Sequence, residues 1–135
     1  ENNFDFFHVG RKGWGNLPTN LKNIDVKNDQ DLANLIVNAQ AVVIASLYEG
    51  FGLPVLESHA QGTPVVVSDD PALVELSTGS DIIFELGNLD SLAIALKCFA
   101  ESKQKLDSSQ ISEAQSMTWA NSAQKHVEAY LGLLK

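Results

Sequence analysis

Two carboxylates, Glu49 and Glu57, bound the stretch of this chain whose residue types and spacing are best suited to chemistry. Between them run Gly50, Phe51, Gly52, Leu53 and Pro54, and after them a short apolar segment, Val65 to Ser68. Gly50 and Gly52 permit a sharp turn and let the backbone approach a ligand with no Cβ in the way. Pro54 suits the first residue of a helix, where its missing N–H would have no partner in any case. Such a helix presents free N–H groups and the positive end of its dipole, a natural anion site. Glu49 then lies on the loop and Glu57 about one turn into the helix. Carboxylates repel phosphate but accept hydrogen bonds from hydroxyls. Anion-binding amides beside hydroxyl-binding acids fit a sugar nucleotide.

Elements that would position these residues can be read along the chain. Phe4 to Val9 reads as a strand and Gly10 to Gly15 as the loop after it; Leu21 to Val26 reads as a second strand. Asp31 to Ala39 carries Leu32, Leu35, Ile36 and Ala39 at helical spacing. Ala41 to Leu47 reads as a buried strand, Pro54 to Gln61 as a helix and Val65 to Ser68 as a strand, with Gly62-Thr63-Pro64 as the return. Pro71 to Leu76 reads as a short helix and Ile82 to Phe84 as a last strand. A helix from Asp90, its expected cap, to about Glu101 places Leu92, Leu96 and Phe99 on one face. Ser102 to Ser112 reads as a polar linker, and the final helix is expected to turn Trp119, Ala123, Val127 and Tyr130 inward. Strands alternating with helices predict an α/β fold: a Rossmann-like parallel sheet covered by helices on both faces, with ligands at the carboxyl ends of the strands.

At this level of detail the stretch resembles the E-x7-E signature of retaining glycosyltransferases of family 4, which have the GT-B fold. The signature here is Glu49-Gly-Phe-Gly-Leu-Pro-Val-Leu-Glu57, and Ser58 to Ser68 is similar to the family's next segment. Glu75 falls where the family often has a Glu in a short helix, and Met117 to Ala123 looks like the Trp-bearing start of its last helix, with Trp119 as the match. The resemblance implies that Glu57 holds the ribose hydroxyls of a donor nucleotide as a charge-assisted acceptor. It implies that Glu49 bonds hydroxyls of the transferred sugar, positioning the donor rather than attacking it. Amides of Phe51, Gly52 and Leu53, with Gly50 in the same loop, would meet the sugar and the distal phosphate, and Val26 falls near where the family packs the base. The implied reaction is transfer of a sugar from a nucleotide-sugar donor to an acceptor with retained configuration, in bacterial polysaccharide assembly. It would rest on orientation and on charge stabilisation at the leaving diphosphate.

The resemblance also implies that residues 1–135 are most of the C-terminal, nucleotide-sugar-binding domain. The N-terminal domain, which would bring a saccharide or lipid-linked saccharide acceptor and any peripheral membrane contact, would lie outside them, and the fragment alone would be inactive. Arg11 and Lys12 are basic but look like a turn after a later strand than the one that supplies the family's diphosphate-binding Arg and Lys. The competing readings are a GT-B phosphorylase or epimerase and a non-catalytic sugar-nucleotide-binding or assembly module. An upstream acceptor domain with those basic residues would favour the transferase.

Bulk properties bound these readings. At 135 residues, 44% hydrophobic and 19% charged, the chain suits one domain with a sizeable core. A net charge of −8 argues against a grip on nucleic acid by these residues. Cys98 is the single cysteine, which excludes an internal disulfide and fits a reducing cytoplasm; it is expected to be a buried or half-buried helix residue. No cofactor is expected beyond the donor as substrate. No metal site is expected either: His8, His59 and His126 lack ligand spacing. Asp29-Gln30-Asp31 is better explained as a helix cap than as a metal-binding D-x-D, and Asp69-Asp70 as a polar strand-end loop at least as well as an acidic site.

Overall fold

A computed structural model describes residues 4–10, 21–102 and 104–134. The loop expected over Gly10 to Gly15, with Arg11 and Lys12, lies almost wholly outside them. The described strands are β1 (Phe6–Val9), β2 (Leu21–Ile24), β3 (Val42–Ile44), β4 (Val65–Ser68) and β5 (Ile82–Phe84). All pair in parallel, in two hydrogen-bonded sets: β1 with β2, and β3-β4-β5 with β4 in the middle. The helices are α1 (Asp29–Asn38), α2 (Leu53–Ala60), α3 (Pro71–Leu76), α4 (Leu89–Ser102), α5 (Ser108–Ser116) and α6 (Trp119–Leu133).

The period-two alternation of β4 builds the core. Val65 and Val67 face one side, where Ile44, Val55 of α2 and Leu73 of α3 pack against them. Val66 faces the other, with Phe84 and with Ala95 and Phe99 of α4. Every residue of β4 is buried, as a central parallel strand covered on both faces must be. The expected α/β architecture is therefore present, with α2 and α3 on one face and α4 on the other.

Several boundaries differ from the sequence reading for physical reasons. The apolar run expected as a strand from Ala41 to Leu47 outlasts its ladder, which ends at Ile44 opposite Val67; Leu47 is exposed beyond it. The cap of α4 is not Asp90 but Asn88, whose side chain accepts from Ser91 N at 3.0 Å, and Asp90 sits in the first turn. Cys98 is exposed, because the inward face of α4 runs through Leu92, Ala95, Leu96 and Phe99 and Cys98 lies off it. The polar linker expected over Ser102 to Ser112 is half helix: α5 begins at Ser108 behind a capping box. The Asp107 side chain accepts from Gln110 N at 2.9 Å, and the Gln110 side chain accepts from Asp107 N at 2.8 Å. Bonds from Ser109 and Gln110 hold the Asp107 carboxyl below its ordinary range.

The largest difference concerns α6. Trp119, Ala123, Val127 and Tyr130 are expected inward from the sequence, yet no residue of α6 is buried and Trp119 is 81% exposed. Apolar residues at helical spacing mark a face that favours cover, but they do not name the element that supplies it. Among the described residues nothing packs over that face. Thr118 still starts the helix as its cap, accepting from Asn121 N.

Candidate functional site

The Glu49 loop joins β3 to α2, at the carboxyl ends of β3 and β4. Here the chain must reverse from strand to helix, and it does so at Gly52, the α2 cap, with φ of 90° in the left-handed region. A Cβ there would lie 3.1 Å from Leu73 Cδ2 and 3.2 Å from Leu76 Cδ1, so conformation and space both require glycine. Gly50 differs: its φ is not positive, and a Cβ on it would meet nothing within 4 Å. It is thus not needed for the turn, and it leaves open space beside Glu49.

No side chain caps α2, and Pro54 stands second in the helix rather than first. Val55 N closes onto Gly52 O at 2.9 Å. Among the described residues the N–H groups of Phe51, Gly52 and Leu53 have no hydrogen-bond acceptor. Phe51 and Leu53 are exposed while Gly52 is buried. This end of the helix therefore offers unpaired donors, with the dipole behind them, to a ligand at the strand ends.

Glu49 is half-buried and held by its neighbours. Ser46 Oγ donates to Glu49 Oε1 at 2.6 Å, and Glu49 N donates to Asp70 Oδ2 at 3.4 Å. Glu57 stands on the outward flank of α2. Partial burial pushes its carboxyl above the ordinary range, and the negative charge of Asp29, the first residue of α1, adds to this. Asp29 also places the segment after β2 near Glu57. Val26 lies in that segment and is half-buried, with exposed Lys27 beside it. Phe51, Leu53 and Glu57 line an open cleft of about 1270 Å³ together with Met117, Trp119 and Lys125. Glu49 does not line that cleft; it sits instead with Ser46 and Asp70 at the strand ends.

Other candidates resolve into structure. Asp70 caps α3 by accepting from Ala72 N at 3.0 Å, and Asp69 accepts from Leu86 N at 3.0 Å. The α1 cap is Asn28, which accepts from Asp31 N, while Asp31 accepts from Lys27 N. Among the described residues no group of three His, Cys, Asp or Glu is placed to hold a metal ion. Glu75 is exposed on α3.

His59, which offers only the absence of metal-ligand spacing in the sequence, is half of a buried pair in the structure. His59 Nε2 lies 3.0 Å from Asp81 Oδ2, and the two side chains are 3% and 0% exposed. Asp81 also accepts from Val65 N at 2.8 Å, Thr78 N at 2.7 Å and Thr78 Oγ1 at 2.9 Å. Burial alone would push the Asp81 carboxyl up. The hydrogen bonds from His59, Val65 and Thr78, together with the field of His59, outweigh it and hold the carboxyl below its ordinary range.

A family model, glycosyl transferases group 1, matches residues 16–117. The chain belongs to the group 1 glycosyl transferase family. It is 28% identical over 123 residues to O-antigen chain mannosyltransferase B of Escherichia coli, covering 89% of this chain and 31% of that protein. It is 49% identical over 49 residues to the MMP alpha-(1->4)-mannosyltransferase of Mycolicibacterium hassiacum, covering 36% of this chain and 12% of that protein. The chain thus spans about a third or less of the length of these relatives. Its fold is similar to that of sucrose-phosphate synthase from Thermosynechococcus elongatus, with a TM-score of 0.73 at 22% identity, over 85% of this chain and 30% of the other. That similarity agrees with a GT-B fold. No described helix is long and apolar enough to cross a membrane.

Proposed function

We propose that these residues form the donor-binding part of a retaining, family 4 glycosyltransferase that takes a sugar from a nucleotide sugar and passes it to a saccharide or lipid-linked saccharide. The observation that carries this reading is the α2 N-terminus: unpaired amides at Phe51, Gly52 and Leu53, with Glu49 before them and Glu57 one turn behind. The amides suit the distal phosphate and the sugar oxygens nearest it. Glu57, whose carboxyl carries a burial and repulsion cost, gains most from hydroxyl donors and is assigned to the ribose. Glu49 is assigned to hydroxyls of the transferred sugar, and Val26 to the base. Mannosyltransferase relatives, two of them named for O-antigen chain synthesis, support a hexose, mannose first, and a place in bacterial surface-polysaccharide assembly.

In this reading the chain's own groups orient the donor and stabilise the charge that develops on the departing diphosphate; no carboxylate attacks the sugar. Two carboxyls with no anion site would instead suit hydrolysis, and the uncapped helix terminus favours transfer. The acceptor, the remaining diphosphate contacts and any contact with the inner membrane face are assigned to a separate N-terminal domain.

Ligand-observed NMR with uridine, guanosine and adenosine diphosphates and their sugar conjugates tests this directly. Selective binding abolished by Glu57→Ala is expected. Glu49→Ala should reduce affinity for the sugar conjugate and spare the free nucleotide. Equal loss for both ligands in Glu49→Ala would sink that division of roles.

A further inference from the structure

Glu49 is held at two points by residues that are not themselves assigned to the ligand: its carboxylate by Ser46 and its backbone N–H by Asp70. Ser68, the last residue of β4 and fully buried, donates from Oγ to Ser46 O at 2.8 Å. That bond joins the chain after β3 to the end of β4 beyond the last paired residues and fixes the backbone of Ser46. A serine hydroxyl has one proton to give, and Ser46 spends it on Glu49 Oε1 at 2.6 Å, a length typical of a hydroxyl bound to a carboxylate. On the other side, buried Asp70 divides its two oxygens. Oδ1 takes Ala72 N at 3.0 Å and so is anchored to the start of α3, while Oδ2 takes Glu49 N at 3.4 Å.

We propose that Ser46 and Asp70 are positioning residues, which together hold Glu49 in the orientation that receives the transferred sugar. The inference rests on the assignment of Glu49 given above. A glutamate on a loop beside Gly50 would otherwise populate several rotamers, and a ligand would have to freeze them on binding. With Oε1 engaged by Ser46, Oε2 and the spare lone pair of Oε1 remain for sugar hydroxyls. Asp70 sets where the side chain starts and Ser46 sets where it ends.

The test uses the full natural protein carrying this chain and compares dissociation constants for guanosine diphosphate mannose and guanosine diphosphate, or for the uridine or adenosine pair if the panel above selects it. Ser46→Ala removes the hydroxyl, and Ser46→Thr keeps it. Asp70→Ser retains an oxygen able to cap α3 but none that also reaches Glu49 N. Ser46→Ala and Asp70→Ser are each expected to weaken the conjugate by about three- to tenfold and leave the free diphosphate unchanged. Ser46→Thr should restore binding, and Ser46→Ala should add no loss on a Glu49→Ala background, because it acts through that residue. Equal losses for both ligands, additive losses in the double variant, or an unaffected Ser46→Ala beside an impaired Glu49→Ala would each overturn the positioning role while the assignment of Glu49 stands. An intact conjugate preference in Glu49→Ala, or no binding by any pair, would instead remove the assignment itself, and the positioning role with it.

Discussion

The two ends of helix α2 treat their polar groups in opposite ways. At the carboxyl end nearly everything is used internally. Ser58 Oγ donates to Thr63 O, Thr63 Oγ1 donates to Ile36 O, and the His59–Asp81 pair joins the helix to the start of β4 and to the turn at Thr78. At the amino end Gly52 caps with no side chain, and the amides of Phe51, Gly52 and Leu53 have no acceptor among the described residues. One end spends its hydrogen bonds on the fold. The other leaves them available, at the strand ends where a parallel α/β sheet binds ligands. A buried polar network that is fully satisfied rigidifies its surroundings, so the closed end fixes the helix whose open end is assigned to the donor.

If that division is right, substitutions at the closed end should act on stability and those at the open end on binding. The largest effect is expected for Asp81→Ala, which strips acceptors from His59, Val65 and Thr78 in a buried site and should destabilise the chain by about 3 kcal/mol in urea denaturation. The folded Asp81 carboxyl sits below its ordinary value of 3.8. The stability it contributes is therefore present above that value and lost as the pH falls through the lower folded one. Asp81→Ala should flatten that part of the acid-unfolding curve, and an unchanged acid limb would contradict the clamp.

Gly52→Ala tests the boundary between the two ends, since it introduces strain at positive φ and crowds Leu73 and Leu76. A loss of about 2 kcal/mol is expected, read by thermal unfolding, with nucleotide binding weakened as the amides shift. A neutral Gly52→Ala would mean that the turn is looser than its geometry indicates.

Glu57→Gln sharpens the contrast, because stability and binding should move in opposite directions. A carboxyl raised in the folded state contributes stability that is complete below its ordinary pKa and is lost as the pH rises through the raised one. Neutralising it at pH 7 should therefore stabilise the empty chain slightly, by a few tenths of a kcal/mol at this exposed position. Nucleotide affinity should fall about tenfold with loss of the charge-assisted acceptor. The wild-type chain should likewise lose nucleotide as the pH drops through the raised Glu57 value. Calorimetric titration across pH checks both, and unaltered affinity in Glu57→Gln would remove Glu57 from the ribose. The smallest effect is expected for Trp119→Ala in this chain, within about 0.5 kcal/mol, because the ring is 81% exposed. A larger loss would show that α6 is covered after all.

How far the sequence carried can be seen element by element. Val65 to Ser68, Pro71 to Leu76 and Ile82 to Phe84 were legible to the residue, because each is a short apolar or proline-led run bounded by strong turn signals. A strand-to-helix turn with free amides at the helix start was legible from Gly52 and Pro54, whereas the particular amides of Phe51 to Leu53 were indicated by the family resemblance. Helix α5 was missed although its signal was present: Asp107 followed three residues later by Gln110 is a capping box, obscured by the polar residues around it. Asp81 gave no sign of its buried role, since a single aspartate before a strand is ordinary and two of its three partner residues, Val65 and His59, lie 16 and 22 residues away in the chain.

The sequence by itself determined the local grammar: which segments are strands, where helices start, and which loop carries glycines, acids and free amides together. These properties depend on neighbours along the chain, through φ preferences, caps and periodicity. Only the tertiary structure decided that Asp81 and His59 pair, that Ser46 and Asp70 hold Glu49, that Asp29 approaches Glu57, and that the apolar stripe of α6 stays exposed. Those outcomes depend on which surfaces meet once the sheet has formed. Periodicity shows that a face favours cover and an acid favours a partner, but the partner is chosen by packing between segments that are distant in the chain.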